Sequence, residues 1–240
     1  MSDEAARALP EWVSGEVDLD RRRSLLALTA TAAGASLATG SALAQAARCV
    51  LTEDAGEGPF YFDPELVRSD ISDAAAGAPL EIAIQVTRAS DCATLAAARV
   101  DLWQANGIGL YSGYADQPGV GDISTDSAVD QAWLRGTQFT DGDGWVRFQT
   151  IFPSWYGGRT PHLHFKVWIG LEEFVASQIF FPDETSTFVF ERWDPYRSHI
   201  AKRQVFNDND PLHQGIYCEV ERQDETGVRA NTVVAIADAA

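Results

Sequence analysis

Short runs in which apolar and polar residues alternate, separated by glycine, proline and aspartate, constrain the fold of this chain more than any other feature. Leu80-Glu-Ile-Ala-Ile-Gln-Val-Thr87 and Ala98-Arg-Val-Asp-Leu-Trp-Gln104 both alternate. A period of two sends successive side chains to opposite faces of a pleated strand and does not suit a helix. Asp141-Gly-Asp-Gly144 predicts a hairpin turn, with Trp145-Val-Arg-Phe-Gln-Thr-Ile-Phe152 continuing as a strand. The runs 164–169 and 173–181 read as the next pair, and Thr232-Val-Val-Ala-Ile236 is a strand-like run in the tail. The spacing predicts an all-β fold: a β-sandwich core of mixed and antiparallel strands with long connecting loops. A hydrophobic content of 45% with seven Trp suffices for a full β-rich core.

Between these runs the sequence is irregular. Residues 49–75, with Gly56-Glu-Gly-Pro59-Phe-Tyr-Phe62, predict an extended, loop-rich arm. Residues 112–137 form a long polar connection, and loops of that length inside a domain usually serve function. A short helix is expected within 187–203. Asp141-Gly-Asp-Gly144 also resembles the start of a calcium loop, but Trp145 and a strand follow where further ligands are needed, so the turn reading is preferred.

The N-terminal region reads as an address. Arg22-Arg23-Ser-Leu-Leu26 fits the twin-arginine pattern, a mild Ala-rich run follows, and Ala42-Leu43-Ala44 is a small-x-small cleavage site. Residues 1–44 are therefore expected to be a twin-arginine signal peptide and 45–240 the functional domain, periplasmic or secreted. The Ala-rich run is too weak for a membrane span, so no membrane partner is expected after cleavage. The net charge of -17, with no basic cluster after residue 44, argues against nucleic acid as a partner. The three cysteines, Cys49, Cys92 and Cys218, permit one disulfide at an oxidising destination. Sequence leaves all three pairings open; Cys49–Cys92 is preferred because it would tie the start of the mature chain to an early hairpin. The oligomeric state is left open, a homo-oligomer included.

The densest chemistry lies in Tyr156-Gly-Gly-Arg-Thr-Pro-His162-Leu-His164, which brings a phenol, a guanidinium and two imidazoles into nine residues. If His162 and His164 open a strand, both rings lie on one face, two residues apart, and can hold one metal ion. The chain has only four histidines. The other two, His199 and His213, are expected at the surface or just behind the site. Two imidazoles do not complete a site, and a second phenol stands upstream in Trp103-Gln-Ala-Asn106 and Tyr111-Ser-Gly-Tyr114.

In this order the residues resemble the intradiol ring-cleavage dioxygenases, in particular the protocatechuate 3,4-dioxygenase branch. The resemblance runs from about Glu57 to Phe181. Its motifs are Trp103-Gln-Ala-Asn106, Tyr111, Thr140-Asp-Gly-Asp-Gly-Trp145, Phe148-Gln-Thr-Ile-Phe-Pro153, Tyr156, Arg159 and His162-Leu-His164. It implies that Tyr111, Tyr156, His162 and His164 ligate a non-haem Fe(III) ion, with Tyr111 preferred over its neighbour Tyr114. It implies a small catechol-type substrate and O2, ring cleavage between the two hydroxyl-bearing carbons, and a muconate-type product. Tyr156 would leave the metal and take a substrate proton, Arg159 would stabilise developing negative charge, and Gln178 would assist at the same place. Arg135 receives no role.

The chain departs from the aromatic-degrading members in having only Gly157-Gly158 between Tyr156 and Arg159, which implies a more open pocket, and in its export signal, which places it nearer an exported intradiol-like subgroup. Two other classes compete: an exported β-sandwich that binds a metal or phenol without turnover, and a copper or zinc protein using the same His-x-His. Ferric tyrosinate is red-brown, so colour and oxygen consumption separate the three.

Overall fold

The computed structural model describes residues 49–117 and 128–238; the export segment expected over 1–44 lies outside them. Among the described residues nine strands form two mixed sheets. The four-stranded sheet has the order β4 (Trp145–Ile151), β1 (Pro79–Arg88), β9 (Gly227–Ile236), β8 (Glu219–Asp224). The five-stranded sheet has the order β3 (Arg135–Phe139), β2 (Arg99–Gln104), β5 (His162–Ile169), β6 (Glu172–Phe180), β7 (Ile216–Tyr217). The β1–β9 and β6–β7 pairs are parallel and the others antiparallel. Among the described residues no helix is long and apolar enough to cross a membrane.

Alternation in the sequence becomes two faces in the sheet. Leu80, Ile82, Ile84 and Val86 of β1 point inward, opposite Val100 and Leu102 of β2 and Leu163, Phe165 and Val167 of β5, in one shared core. Phe165 has no exposed surface, and its truncation to alanine would cost about 3–5 kcal/mol in lost transfer energy and cavity. The inward residues of β5 leave His162, His164 and Lys166 on the outer face of the five-stranded sheet. An outer face is ordinarily solvated, yet these three are 2%, 1% and 4% exposed. The arm covers His164 and Lys166, and Tyr156 and Phe180 pack on His162. The arm hydrogen-bonds to β6 through Ala55 N to Ala176 O (2.9 Å) and carries Glu57 to a salt bridge with Lys166. The site therefore sits outside the sandwich core, roofed by a segment with no regular structure of its own.

Two expectations change, the hairpin and the helix bounds, and the preferred disulfide pairing holds. Asp141-Gly-Asp-Gly144 makes a tight turn, with Gly144 N bonded to Asp141 O at 3.0 Å and Trp145 N to Asp141 Oδ1 at 2.8 Å. It does not close a hairpin, because β3 and β4 lie in different sheets and the turn carries the chain between them. The helix, α1, spans Asp183–Arg192, beginning earlier than expected, and two short 3-10 turns, Tyr196–Ser198 and Ile200–Lys202, follow. Asp183 and Glu184 in its first turn match the positive end of the helix dipole. Cys49 and Cys92 form the disulfide, and Cys218 is a buried free thiol.

Candidate metal centre and active site

The site is assembled from two strand positions and two loops. His162 and His164 open β5. Register places Trp103 of β2 and Gln178 of β6 on either side of His164. Tyr111 comes from the loop after β2, fixed by Asn106, whose Oδ1 accepts from Ile108 N and Leu110 N (3.0 Å each). Tyr156 and Arg159 come from the loop before β5. Arg159 N bonds to Tyr156 O at 3.0 Å and Gly158 has φ +81°, the geometry of a turn that needs a left-handed third residue. The short Gly157-Gly158 link thus folds back on itself and brings the phenol and the guanidinium together.

The two imidazoles face each other, Nε2 to Nε2, at 3.1 Å. His162 Nδ1 lies 2.7 Å from Thr160 O. That bond needs a proton on Nδ1, so Nε2 of His162 carries a free lone pair. The phenol oxygens of Tyr111 and Tyr156 each lie 3.5 Å from the same nitrogen. Donors bound to one ion at about 2.1 Å, with angles of about 90–120°, stand about 3.0–3.6 Å apart, so the distances from His162 Nε2 to the other three donors fit ligands of one metal. Among the described residues no group of three or more His, Cys, Asp or Glu could hold a metal; a site here needs the phenols.

Burial sets the protonation of all four. It pushes the Tyr111 phenol well above its ordinary range, with the neighbouring Tyr156 adding to the rise, and it raises Tyr156 against the opposing pull of Arg159. It drives His162 well down, and His164 down to about 3, helped by the positive charges of Arg159 and Arg135. The imidazoles are neutral and offer lone pairs. The phenols hold their protons until a strong cation binds, as a high charge inverts the local preference.

Arg159 is the polar centre of the site. Its Nη1 donates to Tyr156 Oη at 3.2 Å and its Nη2 to Gln178 Oε1. Its Nε lies 3.0 Å from both carboxylate oxygens of Asp210, which also accept from Thr160 N (2.9 Å) and Leu212 N (2.8 Å). Gln178, 5% exposed, faces the site and not solvent.

Tyr111, Tyr156, Arg159, His162, His164 and Gln178 all meet here. Tyr114 does not; its hydroxyl donates to Tyr61 O at 2.7 Å. His199 is not at the surface: it is buried, with its ring 4.7 Å from that of Trp155, the residue before Tyr156. His213 packs 4.2 Å from Phe180, whose ring is 5.8 Å from His162.

Sequence reading missed two residues. Asp210 sits in Asn207-Asp-Asn-Asp210, a run that reads as an ordinary loop. Arg135 is buried and holds the residue after Tyr111, donating to Ser112 Oγ (2.9 Å) and Ser112 O (2.8 Å) over the ring of Phe62. Arg135 stands near the end of the long polar connection 112–137, where nothing in the sequence marks it for burial.

A family model described as Dioxygenase matches residues 57–192, a span that includes the four donors, Arg159 and Gln178 and leaves Asp210 outside. Among solved structures, an intradiol ring-cleavage dioxygenase from Tetranychus urticae is 29% identical with a TM-score of 0.70, covering 79% of this chain and 95% of that one. The dioxygenase domain of a dioxygenase carbohydrate-binding protein fusion from Streptomyces sp. SirexAA-E is 26% identical with a TM-score of 0.56, covering 79% and 100%. Hydroxyquinol 1,2-dioxygenase from Pseudomonas putida DLL-E4, 20% identical with a TM-score of 0.53 and covering 79% and 67%, shares the fold. No curated protein matches the chain.

Proposed function

This chain belongs to the intradiol ring-cleavage dioxygenases, a family of oxidoreductases, and on that premise we propose that it is an Fe(III) enzyme that opens a catechol-type ring between its two hydroxyl-bearing carbons with O2, giving a muconate-type product. The observation that carries the iron reading is the meeting of two phenol oxygens and two imidazole nitrogens at one buried spot. A hard trivalent ion favours anionic oxygen, which two tyrosinates supply; zinc and copper sites draw on histidine, cysteine and carboxylate instead. Tyr111, Tyr156, His162 and His164 would hold the ion. When bound, it would supply a Lewis acid that draws electron density from a catecholate and opens the ring to oxygen.

The chain's own groups do the rest. Tyr156 Oη is the base at hand for one of the two catechol protons, and its bond from Arg159 Nη1 steadies the phenolate form. Arg159 presents a planar set of donors to negative charge developing on oxygen. Asp210 fixes that plane from behind, and Gln178 holds its far edge. Phe60, Trp103, Tyr111 and Tyr156 form an apolar cluster around the donors, which keeps water from the site and strengthens each charge interaction within it.

We further read residues 1–44 as a twin-arginine signal and the protein as periplasmic or secreted. The Cys49–Cys92 disulfide supports an oxidising destination. Oxygen uptake by the iron-loaded protein, measured over a panel of ring-substituted catechols with mass analysis of the products, tests the function. Stoichiometric oxygen consumption giving a product heavier by both oxygen atoms is expected; an iron-loaded protein that consumes none across the panel would be a binding protein.

A further inference from the structure

Metal-bound imidazoles are usually oriented by a hydrogen bond on the nitrogen away from the ion. His162 has one, to Thr160 O. Among the described residues His164 has none: its Nδ1 is buried without a partner there. Two packing contacts stand in its place. Trp103, its register partner, stacks on the ring at a centroid distance of 5.0 Å and an interplanar angle of 11°. Gly58 of the arm lies against the ring at Cε1: a Cβ on Gly58 would stand 3.2 Å from Cε1, 3.9 Å from Nδ1 and 4.0 Å from Nε2. Cε1 is bonded to both ring nitrogens, so a push there displaces Nε2, the atom that faces the other donors.

The arm is fastened on both sides of Gly58. Glu57 pairs with Lys166, two residues beyond His164 on the same strand face. Phe60 stacks on Tyr111 at 4.6 Å and 20°. Tyr61 donates to Asp101 Oδ2 at 3.0 Å and lies 4.8 Å from Trp103, the ring that backs His164. One short segment therefore touches three of the four donors, His164, Tyr111 and Tyr156, and the ring that backs the first of them.

We propose that residues 57–61 are a strap that positions the metal centre, and that Gly58 sets the ring of His164 in place of the missing hydrogen bond. The identity of the ion rests on the function proposed above; the orientation of His164 does not. Gly58 is suited to this by lacking a side chain, both for its contact and for its φ of +73°.

Gly56 supplies the control. Its φ is +74°, and a Cβ there meets nothing within 4 Å. Gly58→Ala and Gly56→Ala thus carry the same backbone penalty, and only the first touches His164. In the full-length chain stripped of metal, the His164 Cε1–H resonance reports the ring's position. In the loaded chain, iron affinity reports the consequence. Gly58→Ala should shift the resonance and weaken iron binding about 10–100-fold, the usual effect of disturbing a ligand's support. Gly56→Ala should do neither, although its positive φ lowers the melting temperature too. A His164 resonance and iron affinity equal in the two variants would overturn the strap. If the wild type binds no iron, the iron assignment fails, and the resonance alone decides the strap. Should Gly58→Ala not fold, Glu57→Gln, which releases the strap from Lys166, should shift the same resonance in the folded chain; an unmoved resonance there overturns the proposal.

Discussion

Replacing Asp210 with asparagine tests whether a buried charge pair holds Arg159. The Asp210 side chain is 0% exposed and that of Arg159 7%. Oδ1 accepts from Arg159 Nε and Leu212 N, and Oδ2 accepts from Arg159 Nε and Thr160 N. Whichever way an asparagine turns, its NH2 group meets a backbone N–H that needs an acceptor. The variant therefore loses the neutralising charge and orphans a buried donor at once. Removing one partner of a buried pair costs about 3–5 kcal/mol. For a domain of this size each kcal/mol is worth about 2–4 °C, so the thermal midpoint should fall by about 6–20 °C. Circular dichroism on the full-length, metal-free protein measures it without the added stability that a bound ion gives. Arg159→Met should make the loss non-additive: with both charges gone, the double variant should be more stable than the sum of the single losses by more than about 1 kcal/mol. A fall of under about 2 °C, or strict additivity, would refute the pairing and with it the fixed plane of Arg159.

Two further outcomes follow from burial and from the cross-link. Both site imidazoles have folded pKa values below their unfolded ones, so their contribution is full above about pH 6.5. It is lost as the pH falls towards the folded values, about 3 for His164, because the unfolded chain takes up protons that the folded one refuses. Urea midpoints of the metal-free protein should drop across that range, and His164→Gln should flatten the drop; an unchanged slope would contradict the neutral, buried assignment. Cys92→Ser opens a loop with a sequence separation of 43 and should cost about 2–4 kcal/mol. In the wild type, Cys218, its thiol pushed up to about 12 by burial, should react with a thiol reagent only after unfolding, and then as one equivalent; two or more equivalents would mean that the disulfide is absent.

What was legible in the sequence divides along physical lines. β1, β2, β4, β5, β6 and β9 were readable because each buries at least one face, and burial writes a hydrophobic pattern. β3, β7 and β8 were not. All three are sheet edges; the edge strand β4 keeps Val146 and Phe148 in the core, whereas Glu219-Val-Glu-Arg-Gln-Asp224 keeps polar residues where inner strands place apolar ones. The turn at Asp141–Gly144 was readable as a turn, but its chemistry is the same whether the next strand stays in the sheet or leaves it. In the site, Tyr156, Arg159, His162 and His164 lie close in sequence and Tyr111 came with an ordered motif. Asp210 is 51 residues from Arg159, and no local pattern marks an aspartate whose carboxylate will be buried. The arm was legible only as an arm. That it roofs the outer face of β5 follows from Glu57, Phe60 and Tyr61, whose partners Lys166, Tyr111 and Asp101 are set by the tertiary fold.

Two phenols and two imidazoles of this chain are proposed to hold ferric iron. The visible absorption spectrum of the purified, iron-loaded protein, taken beside that of Tyr111→Phe with metal content measured on both, tests this proposal most directly. A red-brown protein with one iron per chain is expected, with a band that bleaches when the iron is removed and a sharp shift of that band or loss of iron in the variant. A colourless protein holding zinc or copper, or a variant with full iron and an unchanged band, would contradict it.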